Sequence, residues 1–331
     1  MTALLEIRDL HVTVRGQGGE VPAVRGLSFQ VDRGQILAVV GESGAGKSLT
    51  AQAVLGLLGP SVAMSGSVKF DGRELAGATQ AAYRELRGRR LGFVPQDALS
   101  VLSPVHPVGE QLALAVRSVQ GASRAAAWDV AVRALDRVGI PDASRRARVY
   151  PHEYSGGMRQ RAVIAMAMVN QPDLIIADEP TTALDPRLQA QILGLLTGLR
   201  DESGTAVVLV THDLAAVAGS ADRVLIMYAG REVESGPVDR VLVTPRSPYA
   251  VGLLASLKPM PAATTRRLPA IAGAPPRPQS LPPGCAFAPR CPLAVDECRA
   301  IEPEPLLYDG RLVACHRAGD VPAAELAELY R

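Results

Sequence analysis

The sequence predicts an α/β fold with a mainly parallel sheet, and two observations carry that expectation. Short apolar runs alternate with helix-forming runs along most of the chain. A glycine-rich turn separates one such run from the helix that follows it. After about residue 236 the composition changes, with dense proline and then every cysteine of the chain.

Leu5–Val14 and Leu27–Val31 alternate as strands around a turn at Gly16–Gly19, and suit an antiparallel side sheet. Gln35–Val40 is a compact apolar strand, broken by Gly41 and followed by the helix-forming run Ser48–Leu58. Gly66–Phe70 returns to strand. A largely helical region is expected from about 72 to 170, interrupted by a loop at Pro95–Pro107. Strands recur at Leu174–Ala177 and Ala206–Val210, with helices at Leu188–Leu199 and Leu214–Ala218. Val224–Met227 and Arg231–Glu234 read as a hairpin across Ala229–Gly230. Proline density from Pro259 to Pro283 marks a connector.

Composition narrows the function. With 331 residues, 47% of them apolar, the chain can bury a large core. Its 35 Lys and Arg against 33 Asp and Glu give a formal charge of +2, which offers no argument for a nucleic-acid partner. Arginine clusters at Arg84–Arg90, Arg145–Arg148 and Arg266–Arg267 read as solvated faces. Met1–Leu10 carries Glu6 and Asp9 and lacks a signal-peptide apolar stretch. The apolar run Ala162–Val169 has eight residues, well short of the roughly 20 a membrane span needs. A soluble, cytoplasmic polypeptide is expected, free to dock on a membrane protein.

Gly41-Glu-Ser-Gly-Ala-Gly-Lys47-Ser48 fits the phosphate-loop pattern, in the strand-to-helix position that pattern needs. Backbone amides across Gly41, Glu42, Ser43, Gly44, Ala45 and Gly46 can point inward at phosphate oxygens, and the helix start through Lys47, Ser48 and Leu49 favours an anion. Lys47 supplies charge to the β- and γ-phosphates, and the Ser48 hydroxyl is a Mg²⁺ ligand. ATP with Mg²⁺ is the expected occupant. Leu174–Ala177 leads into Asp178-Glu179, carboxylates at a strand's carboxyl end, where ligands collect in open α/β sheets. Asp178 is suited to orienting Mg²⁺, and Glu179 to polarising the attacking water. His212 follows the next apolar strand and suits the γ-phosphate or that water. Gln96 offers an amide to Mg²⁺, to water or to its own loop.

Ser155-Gly-Gly-Met-Arg-Gln-Arg161 sets a serine and two glycines before a basic helix, a second anion-binding start. Two such starts suggest ATP clamped between two subunits. Together with Gly41–Ser48, Gln96, Asp178-Glu179, Ala183-Leu-Asp185 and His212, residues 1–240 resemble the nucleotide-binding domain of an ABC transporter. The resemblance implies a P-loop NTPase core of ABC type, with residues 97–170 as helical subdomain and 241–331 as a cysteine-containing extension. It makes Ser155, Gly156 and Gly157 the signature that completes a partner's ATP site, puts Asp185 in the loop that communicates across the dimer, and joins Gln96 to the surface facing the membrane subunits.

Tyr150-Pro-His-Glu before the signature, with Gly157-Met-Arg-Gln160 following those four residues, and Ile176–Asp185 resemble, more narrowly, the D-type ATPases of bacterial dipeptide and oligopeptide importers. Nickel importers share the pattern. That family implies an F-type ATPase as heterodimer partner, two transmembrane permease subunits, an extracytoplasmic peptide-binding protein met indirectly, and a location at the cytoplasmic face of the membrane. Three positions depart from it. Tyr154 replaces the usual leucine, Val14 stands where an adenine-stacking aromatic is expected, and Gln96–Pro104 differs after its glutamine.

Cys285, Cys291, Cys298 and Cys315 leave gaps of 5, 6 and 16 residues. Four thiolates can bind zinc or an iron–sulfur cluster, and spacing alone does not choose between these and unliganded or redox-active thiols. Pro283–Pro292 with Cys298 and Cys315 resembles the importer tail that holds a [4Fe-4S] cluster, which implies a metal staple for a tail with little apolar content of its own. His316 is expected to be a bystander. Pro245–Tyr249 and the helix Val251–Leu257 read as linker and packed helix. The core is expected to bind nucleotide without help from the tail, because its motifs all precede residue 213.

Overall fold

The computed structural model describes residues 3–16, 19–97, 100–181, 184–255 and 270–321. The chain divides into two compact units. One comprises Met1–Leu4, Val31–Ile36 and Gly77–Val210, and the other Leu5–Gln30, Leu37–Ala76 and Thr211–Arg331.

The first unit is built on parallel strands. Leu91–Val94 pairs with Leu174–Asp178, and the latter with Ala206–Thr211, in the registers Val94↔Ala177 and Asp178↔Val210. The second and third strands are buried at every residue, as their continuous apolar sequence demands. Just before the middle strand, Asp173 accepts bonds from Arg90 Nε at 2.5 Å and Arg33 Nη1 at 3.1 Å.

The strand Leu91–Val94 corrects the helical region expected from 72 to 170. Four apolar residues are too few for periodicity to separate strand from helix. Arg73–Glu74 is a second short strand in that region, and its described remainder is largely helical as expected. Val108–Gln120 stops at left-handed Gly121, and Arg124–Arg137 restarts where Ser123 Oγ accepts the Ala126 amide at 3.3 Å. Arg124–Arg137 packs on Gly156–Met168. A Cβ on Gly109 would lie 2.7 Å from Ala147 Cβ and 2.8 Å from Ala147 O, so the start of the first of these helices lies close against the chain at Ala147.

The second unit holds two sheets. In the antiparallel one the order is Gly19–Val31, Leu5–Gly16, Val62–Phe70, Arg73–Glu74. The other runs from Ile36–Val40, parallel to Arg223–Tyr228, through the hairpin strand Arg231–Pro237 to Arg311–Val313 and Leu306–Tyr308. The hairpin turns on Ala229 and Gly230, with φ of 47° and 84°.

The tail is therefore stitched into this unit. Glu234 pairs with Val313 across the sheet, and its carboxylate accepts from the amides of Arg246 and Ser247 at 2.9 Å. Arg311 Nη1 lies 3.4 Å from that carboxylate and also donates to Arg240 O and Thr244 O. Both side chains are at most 1% exposed. Burial pushes the Glu234 carboxyl above the usual carboxylate range, against the pull of the amides and of Arg311. Of the proline-rich connector, 259–269 lies outside the described residues, and 270–283 carries neither helix nor strand.

The buried pair yields a prediction. Arg311→Leu strands the Glu234 carboxylate in the interior and removes the bonds to Arg240 O and Thr244 O. We expect a loss of about 3 kcal/mol in denaturant unfolding, with the tail becoming protease-sensitive. A midpoint equal to wild type would contradict the pairing.

Candidate phosphate-binding site

The loop Gly41–Ser48 sits where the strand Ile36–Val40 gives way to the helix Lys47–Leu55. Two glycines in it are sterically required. A Cβ on Gly41 would fall 2.3 Å from Met227 O, and one on Gly46 would fall 2.5 Å from Ala23 O. Gly46 is also left-handed, with φ 96°, and opens the helix with no side-chain cap. The first turn's N–H groups thus stay turned toward the loop. Gly230 N donates to Ala45 O at 3.2 Å, so the hairpin turn braces the loop from behind.

Lys47 is 5% exposed. Its ammonium donates to Gly41 O at 2.7 Å and Glu42 O at 3.1 Å. A buried cation needs such acceptors, and these two hold it inside the loop's own curve. Ser48 and Leu49 are half-buried on the first turn.

Three side chains that sequence reasoning missed surround Glu42. Its amide donates to the Tyr249 hydroxyl at 3.1 Å. Its carboxylate accepts from both terminal nitrogens of Arg290, at 2.7 and 3.0 Å. Arg290 also donates to the Tyr228 hydroxyl at 3.1 Å. The helix Pro248–Ala255 is thus more than a packed helix, since Tyr249 is its second residue. The basic residue of Ala288-Pro-Arg290 was a discoverable signal, but no local pattern names its partner.

In the same unit, His212 lies exposed at the end of Ala206–Thr211. Thr211 Oγ1 accepts the Asp213 amide at 3.0 Å, and Asp213 Oδ1 accepts the Ala216 amide at 3.1 Å, which fixes the turn carrying the imidazole.

The first unit groups other predicted residues. Asp178 is 5% exposed at the end of its strand. Glu179 follows in the left-handed region, φ 48°, with its amide on Val210 O at 2.8 Å. That conformation turns its side chain out of the strand direction, and Glu179 Oε2 accepts from Gln96 Nε2 at 3.2 Å.

Ser155 caps the helix Gly156–Met168, its Oγ accepting the Met158 amide at 3.3 Å. A Cβ on Gly156 would meet nothing within 4 Å, whereas one on Gly157 would lie 2.7 Å from Leu188 Cδ1. Asp185 Oδ1 accepts the amides of Arg187 and Leu188 at 3.0 Å and so caps the helix Pro186–Ser203. Gln160, buried, donates to Pro180 O at 2.7 Å and ties the signature helix to the chain just after Glu179. Ala183, and Ala98 and Leu99 of the Gln96–Pro104 run, lie outside the described residues. Tyr154, the unusual residue before the signature, buries its ring and donates its hydroxyl to Arg146 O at 3.0 Å. Burial pushes that phenol up to about 12.

The cysteines correct an expectation. All four line one cavity together with Tyr228, Tyr249 and Phe287. Among the described residues, however, no group of three or more His, Cys, Asp or Glu is placed to hold a metal ion, and the four cysteines are free. The iron–sulfur cluster implied by the tail's resemblance is therefore set aside. Burial raises the Cys285 thiol, and pushes Cys291 to about 11 and Cys315 to about 12.

Other forces staple this tail. Glu302 takes both Arg25 terminal nitrogens at 3.0 and 2.8 Å, and Arg231 at 3.0 Å. Burial raises the Glu302 carboxyl, but the two guanidinium groups prevail and hold it below its usual range. Phe287 meets the rings of Tyr228 and Tyr249 with centroids 5.3 and 5.2 Å apart. His316 bonds Ile301 O at 3.0 Å.

Comparison with known proteins adds identity to this geometry. Residues 24–182 match the family model described as ABC transporter, and residues 233–298 match that described as oligopeptide/dipeptide transporter, C-terminal region. The oligopeptide transport ATP-binding protein OppD of Mycobacterium tuberculosis is 50% identical over all of this chain, which spans about half (54%) of that relative. The Salmonella typhimurium protein of the same name is 45% identical over 95% of this chain and 93% of its own length. Among solved structures, the ATP-binding cassette MJ0796, a dimer in a post-hydrolysis state bound to ADP and Pi, matches with TM-score 0.65 and 27% identity. It covers 71% of this chain and 98% of that one. The cbiO1 structure from Clostridium perfringens, part of the ABC transporter complex cbiONQ, has a TM-score of 0.62 at 28% identity, over 73% of this chain and 91% of its own.

The loop's packing makes a prediction independent of these relatives. Gly46→Ala forces a Cβ against Ala23 O at a left-handed φ. We expect about 2 kcal/mol lost in denaturant unfolding. Wild-type stability for that variant would contradict the packing described.

Proposed function

We propose a function from one premise: the chain belongs to the ABC transporter ATP-binding proteins, and within them to the OppD-like subunits of peptide importers. It binds ATP through the loop Gly41–Leu49, hydrolyses the terminal phosphate, and thereby energises import of dipeptides or oligopeptides through partner permeases. The observation that supports this most directly is the loop itself. Glycines with no room for a side chain place Lys47 and a helix start on one short curve.

The residues take distinct roles in this reading. Lys47 neutralises phosphate charge, and the amides from Gly41 to Leu49 bind phosphate oxygens. Ser48, Asp178 and Gln96 offer the hard oxygen donors that suit Mg²⁺. The metal supplies charge compensation on the phosphate oxygens when bound. Glu179 orients and polarises the attacking water, and its bond from Gln96 keeps the carboxylate aimed. His212 hydrogen-bonds the γ-phosphate. In the proposed dimer, Ser155, Gly156 and Gly157 complete the partner's site, where the open space beside Gly156 admits a phosphate close to the backbone. Asp185, whose carboxylate already caps its own helix, holds the loop that meets the partner.

Residues 1–240 form the nucleotide-binding part in this proposal, with 97–170 as helical subdomain and 241–331 as the extension. The partners are an F-type ATPase in a heterodimer, two transmembrane permeases at the cytoplasmic face, and a peptide-binding protein met indirectly. Among the described residues no helix is long and apolar enough to cross a membrane, in keeping with a peripheral subunit. Peptide is preferred to nickel as cargo because the relatives above carry oligopeptide transport in their names.

Glu179→Gln separates binding from chemistry. In the assembled transporter it should retain ATP binding and lose at least about 99% of steady-state hydrolysis. Lys47→Ala should instead weaken nucleotide binding itself. Near-normal turnover by the Glu179 variant would remove that residue from the role assigned.

A further inference from the structure

Glu42 puts a carboxylate on the second residue of a loop read as a phosphate site. Its own carbonyl is one of the two acceptors that hold the Lys47 ammonium. An uncompensated negative charge there repels the anion that the loop must take. The compensating charge comes from the tail, 248 residues away in sequence.

Arg290 meets Glu42 as a two-pronged fork at 2.7 and 3.0 Å, the geometry that distinguishes a guanidinium from an ammonium. Its side chain is 7% exposed, and that of Glu42 is 24% exposed, so solvent screens the pair poorly. The guanidinium is fixed from several directions. Its Nε donates to Ala272 O at 3.0 Å and its Nη1 to the Tyr228 hydroxyl at 3.1 Å. It lies 5.8 Å from the ring centroids of both Tyr228 and Phe287. Tyr249 adds a second clamp, since its hydroxyl takes the Glu42 amide and its ring packs 4.6 Å from Tyr228. These contacts lock both the backbone and the side chain of Glu42.

We propose that Arg290, with Tyr249, is a positioning residue for nucleotide binding: it cancels the Glu42 charge and fixes the phosphate loop, so the carboxyl-terminal tail sets the affinity of the loop for ATP. The proposal rests on the nucleotide reading above. It replaces the expectation that the core binds nucleotide without help from the tail. Neither residue touches the reacting phosphate, and both act through Glu42.

The test measures the dissociation constant of a fluorescent N-methylanthraniloyl ATP with Mg²⁺ on the full chain. R290Q should weaken binding roughly tenfold, and R290K should recover part of it by restoring charge without the fork. The decisive variants remove the carboxylate. R290Q/E42Q should return to within about threefold of wild type, and E42Q alone should tighten binding by about twofold, because the Arg290 guanidinium then lies beside the loop with its positive charge no longer cancelled. A tail that merely needs to be folded gives the opposite pattern, with the double variant no better than R290Q. Equal affinity of R290Q and wild type, or weakening in E42Q, also overturns the proposal. If R290Q does not fold, the sign of the E42Q effect decides. Failure of the nucleotide reading looks different: wild type and Lys47→Ala would bind the probe equally poorly.

Discussion

Backbone proximity at the phosphate loop is the constraint on which the rest of its unit depends. Met227 O and Ala23 O approach Gly41 and Gly46 so closely that no side chain fits between. That proximity lets the hairpin turn at Gly230 bond Ala45, and it curls the chain around the buried Lys47 ammonium. A loop this tight has few conformations to lose when it meets an anion, so more of the interaction energy appears as affinity. Gly41 and Gly46 thus serve packing, and in the proposed function they serve the chemistry too.

Around that constraint the carboxyl-terminal tail is architecture rather than appendage. Arg311–Val313 extends the sheet that also contains Ile36–Val40, the strand leading into the loop. Two sets of arginine–glutamate pairs stitch it down, Arg311 on Glu234 and Arg25 with Arg231 on Glu302. A third, Arg290 on Glu42, reaches the loop itself. Each pairs a tail residue with one far earlier in the chain, and each leaves a stranded charge if one partner is removed. One cavity of the tail is lined by four free cysteines and aromatic rings, and cohesion there comes from burial and charge pairing.

The parts legible in the sequence were those whose chemistry fixes a local spacing. Gly41, Gly46 and Lys47 declare a phosphate loop because a tight turn, a left-handed helix start and a cation must occur at set offsets. Asp178-Glu179 declare themselves by ending an apolar strand. Ser155 is an evident helix start, and its cap is where the sequence puts it. The illegible parts are those set by tertiary partners. Leu91–Val94 is too short for its period to speak. Arg290 is an ordinary arginine until the fold brings Glu42 to it. Tyr154, odd beside a family pattern, becomes explicable once its hydroxyl is seen on Arg146 O. The cysteines mark the opposite failure, since their clustering along the chain and their family resemblance promised a ligand set that their placement in the fold does not form.

The account turns on the loop Gly41–Leu49 being the seat of ATP. Hydrogen–deuterium exchange of the full chain, with and without ATP and Mg²⁺, tests this most directly. Nucleotide should slow exchange at the amides of 43–49 by at least about tenfold, and leave the helix Arg124–Arg137 as it was. Unchanged exchange across the loop at saturating nucleotide would contradict the account.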